Sequence, residues 1–283
     1  MALRNKVSIK PARKSRIIVS HQYLRQTTHT AEQRLHAILA SIQPTEHLNK
    51  PPKMLPQIFV IGATGRTGQL VVEEALKQGH TVTALARKPT NTLPQHENLT
   101  IATGDPCKAS DVETALRRLN ASTPVMIIST LGQTRASGNS WAAPTSPPRL
   151  MDASAQAVLA ACQAVRDSVT VQKIVVMSMF GVGDSFTQLN FLMRFVMRHS
   201  NMAQTLEDQN LVDGTVRANG SVPFVLVRPA MLTFGDAAPI KVHGGEGKGA
   251  GFMPSVSAKS VARFMVEAAA NGEFDNKTVV VTN

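Results

Sequence analysis

Tyrosine is nearly missing from this sequence: Tyr23 is the only one among 283 residues, and it lies in a basic N-terminal segment. The rest of the chain therefore has no phenol to serve as an acid or base. Cysteine is scarce too. Cys107 and Cys162 share no metal-ligand or redox spacing, so the expectation is buried thiols kept reduced, with Cys162 on the apolar side of a helix. No His/Cys/carboxylate cluster suggests a metal site. Nor does any apolar run approach the roughly 18 residues of a membrane span; Phe191–Met197 is already interrupted by Arg194. A soluble protein is expected.

The N-terminus lacks acid. Residues 1–53 hold ten Lys/Arg against two acidic residues, whereas residues 54–283 hold twenty against seventeen. The formal charge of +11 is thus mostly that of a tail, which removes the main support for a nucleic-acid-binding face on the globular part. The tail has no acid before Glu32 and ends in Pro44, Pro51 and Pro52. Two readings stand. It is either a mitochondrial-type transit peptide or a solvated extension on a cytoplasmic protein. Residues 31–42 could form a short amphipathic helix through Leu35, Ile38, Leu39 and Ile42. On either reading the catalytic fold is expected within residues 54–283.

From Gln57 onward, apolar runs alternate with amphipathic stretches. Gln57–Gly62, Thr81–Ala86, Leu99–Thr103, Val125–Thr130, Lys173–Ser178, Phe224–Val227 and Lys277–Thr282 read as strands. Their near-continuous apolar character is that of strands covered on both faces. Helices are expected at Arg66–Gln78, Ser110–Leu119, Arg149–Arg166, Gln204–Asn219 and Ala258–Asn271. Gly79, Gly220 and Gly272 stand where C-caps belong. This pattern predicts an α/β fold: one Rossmann-like, doubly wound, mainly parallel sheet with helices on both faces, in a single domain. Two stretches break the rhythm, Gly132–Pro148 and the glycine-rich Phe234–Met253. Both follow strand C-termini, where open α/β sheets bind ligands, so they are the candidate substrate loops.

The most informative segment is Gly62-Ala63-Thr64-Gly65-Arg66-Thr67-Gly68, between a strand and a helix. Gly62 permits a tight turn, Gly65 lets the backbone approach a pyrophosphate, and Gly68 lets the helix pack on the strand. The helix N-terminus adds free N–H groups and a positive dipole end. This predicts dinucleotide binding. The next strand ends in Arg87-Lys88 with no nearby acid. An acid there would suit a ribose hydroxyl, whereas a guanidinium suits a 2′-phosphate, so the expected cofactor is NADP(H).

The stretch of residues 58–89 (IFVIGATGRTGQLVVEEALKQGHTVTALARKP), then Gly104-Asp105, Ile127–Gly132, Lys173–Asp184 and Phe224–Asp236, resembles the atypical short-chain dehydrogenase/reductase family. Within it, the NmrA-like group and the NADPH-dependent flavin/biliverdin-IXβ reductases are most similar. The resemblance implies roles residue by residue. Gly62, Thr64, Gly65 and Thr67, in one loop with Arg66 and Gly68, would hold the pyrophosphate. Arg87 and Thr90 would hold the 2′-phosphate, and Asp105 and Pro106 would lie beside the adenine. Thr130, Leu131 and Gly132 would line the ribose and nicotinamide approach. Ser178, the candidate catalytic residue, and Pro229 would border the nicotinamide.

The chain also departs from the family. The Tyr-x-x-x-Lys pair is absent. Met179 stands where relatives often carry a second hydroxyl, and Met231 lies near where the biliverdin/flavin reductases carry a histidine. Because a strand alternates its faces, Ser178 and Met179 cannot both point into the site. His199 and His243 read as surface or cap histidines, and Asp208 and Asp213 as solvated. The resemblance then implies an oxidoreductase passing hydride directly to a planar conjugated acceptor: a flavin, a tetrapyrrole or a quinone. The alternative is an NmrA-like redox sensor that binds NADP(H) without turnover and signals through a protein partner. An isomerase or epimerase would need a base that the sequence does not reveal.

Overall fold

The computed structural model of the chain describes residues 55–89 and 91–283. The expectations for residues 1–53 and for Thr90 lie outside them. In chain order the elements are β1 (Gln57–Ile61), α1 (Arg66–Lys77), β2 (Val82–Ala86), β3 (Leu99–Thr103), α2 (Ala109–Leu116), β4 (Val125–Ser129), α3 (Leu150–Val165) and β5 (Val171–Met177). A 3-10 turn (Gly183–Gln188), α4 (Phe191–His199) and α5 (Met202–Ala218) lead into β6 (Phe224–Pro229). The chain closes with β7 (Met231–Thr233), β8 (Lys241–Gly244), β9 (Ser255–Ser257), α6 (Ala258–Ala270) and β10 (Lys277–Thr282).

Eight strands form one sheet in the order β3-β2-β1-β4-β5-β6-β10-β8. Every neighbouring pair is parallel except β10 and β8, which run antiparallel with Val281 opposite Val242. The strand order reverses at β1 and β4, which pair in register from Gln57 with Val125 to Ile61 with Ser129. Crossovers leave this point in opposite directions, so a crevice opens above the two strand ends.

Alternation along β1 divides the core. Ile58 and Val60 pack with Val71, Val72 and Ala75 of α1 and with Val261 and Met265 of α6. Phe59 and Ile61 face the other way, toward Val112 and Leu116 of α2, Val158 and Cys162 of α3, and Val212 of α5. All five β1 residues are buried, as the unbroken apolar run requires of a strand covered on both sides.

Of the three expected glycine caps, one has the anticipated form. Gly79 has φ +85°, and its N–H donates to Leu76 O at 2.9 Å while His80 N–H donates to Ala75 O at 3.0 Å, which is a Schellman closure. Gly220 and Gly272 do not adopt positive φ. There Asn219 and Asn271, both extended, end α5 and α6. The asparagine side chains take over: Asn219 Nδ2 donates to Val222 O, and Asn271 Oδ1 accepts from Glu273 N–H.

The two candidate loops are more structured than glycine content suggests. The stretch 132–148 is closed by a bridge between Arg135 and Pro144. Phe234–Met253, expected to be a loop throughout, contains β8, the edge strand of the main sheet. Flanking it, β7 and β9 pair as a separate two-stranded parallel ribbon. No helix among the described residues is long and apolar enough to cross a membrane.

Candidate functional site

The glycine loop lies in the crevice between β1 and β4. Gly62 takes φ +78°, and a Cβ there would come within 2.9 Å of Leu131 N. At Gly68 a Cβ would sit 2.1 Å from Gly62 O; only hydrogen allows α1 to start this close to the strand it follows. Thr130 locks the loop to β4: its N–H donates to Ile61 O at 2.9 Å and its hydroxyl to the same oxygen at 3.1 Å. Gly65 is the N-cap of α1, with no side-chain cap and no acid in the first turn. The first N–H groups of α1 are thus left to a ligand or solvent. Thr64, Gly65 and Arg66 are exposed, whereas Thr67 and Gly68 are buried. These features fit a nucleotide pyrophosphate: close backbone approach, a positive helix end and no competing carboxylate.

Beyond β2, Arg87 is exposed and borders an open depression of about 410 Å³ with Gly104, Asp105, Lys108 and Asp111. Asp105 is held in place there. Its Oδ1 accepts from Cys107 N–H at 3.0 Å and its own N–H donates to Asp111 Oδ2 at 2.9 Å. Pro106 is buried beside it. Lys108 is a second cation in this depression that sequence reasoning missed; its position one turn after Gly104-Asp105 was the available signal. Cys107 is half-buried, not buried as expected. Burial, then the Asp105 charge, raises its thiol pKa. Cys162 is buried, and burial pushes it up to about 12.

On the opposite side of the crevice, Leu131 is half-buried and Gly132 exposed. Nothing lies within 4 Å of where a Gly132 Cβ would be, so a ligand can pass close to this backbone. Leu131 helps line a small, largely apolar cavity of about 20 Å³, room for about one water, with Ser129, Met151, Val176, Met177 and Gln209. Ser178 is 5% exposed; its N–H donates to Val227 O at 2.7 Å, while its Oγ has no partner among the described residues. Pro229 is buried at the end of β6. Met179 packs with Phe180, Leu189 and Met197, so Met177 is the methionine at the cavity. Met231 is exposed. The Arg66 guanidinium stacks over the Phe234 ring, 4.4 Å from its centroid, and this joins the glycine loop to the second candidate loop.

Two carboxylates expected to be solvated are structural. Asp208 is 1% exposed and accepts from the N–H groups of Met151 and Asp152 at 3.0 and 2.9 Å. It caps α3, whose own N-cap residue, Arg149, supplies no side-chain bond. Asp213 accepts from Arg217 at 2.6 Å and from Arg228 at 2.8 Å. Arg228 is fully buried; it also bonds Asp184 and donates to Gly245 O at 2.7 Å. Burial alone would raise the Asp184 pKa, but hydrogen bonding and charge from Arg228 outweigh it and hold the carboxyl below its usual value. A lone arginine in the apolar run FVLVRP was the sequence signal, because a charge inside a covered strand must find partners. His199 is exposed and packs its ring against Phe195 at 4.6 Å. His243 contacts Thr282 Oγ1 at 3.0 Å.

The sequence pattern of the NAD(P)H-binding family matches residues 62–272. No curated protein sequence matches the chain. Among solved structures, the anaerobilin reductase ChuY of Escherichia coli O157:H7 is similar, with a TM-score of 0.60 at 18% identity, over 80% of this chain and 96% of that one. A Rossmann-fold NAD(P)-binding family protein of Shigella flexneri gives 0.57 at 18% identity, over 81% and 94%. The oxidoreductase ylbE of Lactococcus lactis gives 0.58 at 17% identity, over 80% and 90%. At such identities the likeness is one of fold.

Proposed function

For this chain, which belongs to the NAD(P)H-binding family, we propose an NADPH-dependent oxidoreductase that reduces a flavin, tetrapyrrole or other planar conjugated acceptor. The observation that carries the cofactor choice is Arg87. It borders the same depression as Asp105, at the end of β2, where an NAD-specific site would present an acid. Gly62, Thr64, Gly65, Arg66, Thr67 and Gly68 hold the pyrophosphate, and Arg87 with Thr90 holds the 2′-phosphate. Asp105 accepts from the adenine amine with Pro106 alongside. Thr130, Leu131 and Gly132 line the ribose and nicotinamide, and Pro229 borders it. Bound there, the cofactor supplies a hydride.

The lack of a tyrosine among the described residues supports the acceptor class. The chain's one tyrosine, Tyr23, precedes the described fold, so no tyrosine–lysine pair protonates a carbonyl oxygen in it. A conjugated ring system tolerates this, because it delocalises the incoming charge and takes its proton from water. We assign Ser178, whose hydroxyl has no partner among the described residues, to contact the acceptor. The fold likeness to an anaerobilin reductase supports a flat conjugated acceptor, and Leu131 and Met177 offer it apolar side chains beside the crevice.

Steady-state NADPH oxidation with FMN, riboflavin, biliverdin and quinones tests the reading. Turnover with at least one acceptor is expected. NADPH binding without any turnover, and with equal affinity for NADP⁺, would instead favour a redox sensor that signals through a protein partner.

A further inference from the structure

We infer that Arg135 and Gln133 form a subsite that grips a carboxylate of the acceptor, so that the enzyme selects acidic over neutral conjugated substrates. This rests on the reductase reading above. Both residues lie in the stretch following Leu131 and Gly132, at the C-terminal end of β4, and that stretch is built as a hairpin. Arg135 bridges to Pro144, Ala136 N–H donates to Ala143 O at 3.0 Å, and Thr145 N–H donates to Thr134 O at 2.9 Å. The Thr134 and Thr145 hydroxyls meet at 2.8 Å. Asn201 Nδ2 ties the hairpin tip to the start of α5 through Trp141 O at 2.8 Å.

The charge on this hairpin has no counter-ion. Arg117, Arg149, Arg166, Arg217, Arg228 and Arg263 each pair with a carboxylate. Among the described residues, Arg66, Arg87, Arg118, Arg194 and Arg198 form no ion pair either but are exposed, whereas Arg135 is half-buried and pairs with no carboxylate. It donates from Nη2 to the neutral Thr205 hydroxyl at 2.6 Å, and that hydroxyl in turn donates to Gln133 Oε1. Thr205 thereby fixes both side chains. Burial lowers the Arg135 pKa, with no compensating charge to offset it.

Two donors stay open, Arg135 Nε and Gln133 Nε2, both buried without an acceptor. One turn along α5 from Thr205, Gln209 is 5% exposed and lines the cavity with Leu131; its Oε1 also lacks a partner. Folded proteins rarely leave buried polar atoms unpaired, and two donors held by the same threonine call for an acceptor. A guanidinium and an adjacent amide, both offering N–H, complement the two oxygens of a carboxylate. A cofactor phosphate shares this chemistry, but Arg66 and Arg87 already flank the nucleotide crevice.

Biliverdin and its dimethyl ester differ only in their carboxylates, and menadione is a neutral control. The full chain is expected to show a KM for biliverdin at least about tenfold below that for the ester. Arg135→Gln should erase that difference, leaving menadione turnover and NADPH affinity unchanged. Arg135→Lys should restore part of it, because charge returns without the fork. Equal KM for acid and ester in the wild type overturns the subsite. So does an Arg135→Gln variant whose loss falls on NADPH affinity, which would assign the arginine to the cofactor. Menadione turnover in those cases leaves the reductase reading intact. If no acceptor turns over, that reading fails, and fluorescence of Trp141, the only tryptophan, still reads the subsite. Titration with acid and ester in the presence of NADP⁺ should favour the acid, and equal quenching overturns the inference.

Discussion

Around β1, β2 and β4 the site is shaped by backbone: Gly62 turns, Gly68 admits the helix, and Thr130 bonds main-chain oxygens across the crevice. Around β5, β6 and β10 it is shaped by side chains that reach across long stretches of sequence. Arg228 joins the turn after β5, helix α5 and the segment after β8 through Asp184, Asp213 and Gly245. Asp208 of α5 caps α3, more than fifty residues earlier. On the proposed reading, the first half presents a common nucleotide. The second half rests on particular charges between elements remote in sequence.

The largest effect should fall on the second half. Asp213→Ala leaves the fully buried Arg228 with one carboxylate, itself half-exposed. Breaking a buried pair this way costs about 3–5 kcal/mol, to be read by urea unfolding. Stability within about 0.5 kcal/mol of wild type would show that the network does not organise this half. Next comes Arg87→Ala, a cofactor-half change that should spare stability. It should weaken NADPH binding by about 1.5–3 kcal/mol, roughly 10- to 150-fold, and leave NADH nearly unaffected. Equal losses in calorimetric titrations with both cofactors would remove Arg87 from the 2′-phosphate.

A smaller effect concerns pH. The Asp184 carboxyl lies below its ordinary value of 3.8 in the folded protein. Its contribution is therefore fully present above that ordinary value and is lost as pH falls through the lower folded one. With Asp184 half-exposed, solvent screening should keep this to under about 1 kcal/mol. Asp184→Asn should flatten the acid limb of the stability curve; an unchanged limb would sink the assignment. The smallest effect, none on folding or NADPH affinity, is expected from deleting residues 1–53. An insoluble product would place part of the fold upstream of Met54.

Legibility followed the same division. The seven principal strands were expected and all seven form; six carry the hydrophobic signature of buried strands, whereas β3, LTIAT, is an edge strand with three of its five residues exposed. The glycine loop was readable because its requirements are steric and fall within seven residues. β7, β8 and β9 were not foreseen. Each has only three or four residues, and the glycines around β8 read as loop. Asp208 and Asp213 looked solvated because their partners are remote in sequence, and no local pattern reveals a carboxylate that caps a distant helix.

Sequence alone thus decided where the proposed nucleotide crevice begins and how its first loop turns, since turn geometry is carried by neighbouring residues. The tertiary structure decided which charges are neutralised and which stay open. Arg228, conspicuous in an apolar run, is paired with two carboxylates, and Arg135, unremarkable in a polar loop, has no counter-ion among the described residues. Charge pairing in a folded chain depends on distances through space, and only the assembled α3, α5 and β4–β6 set those.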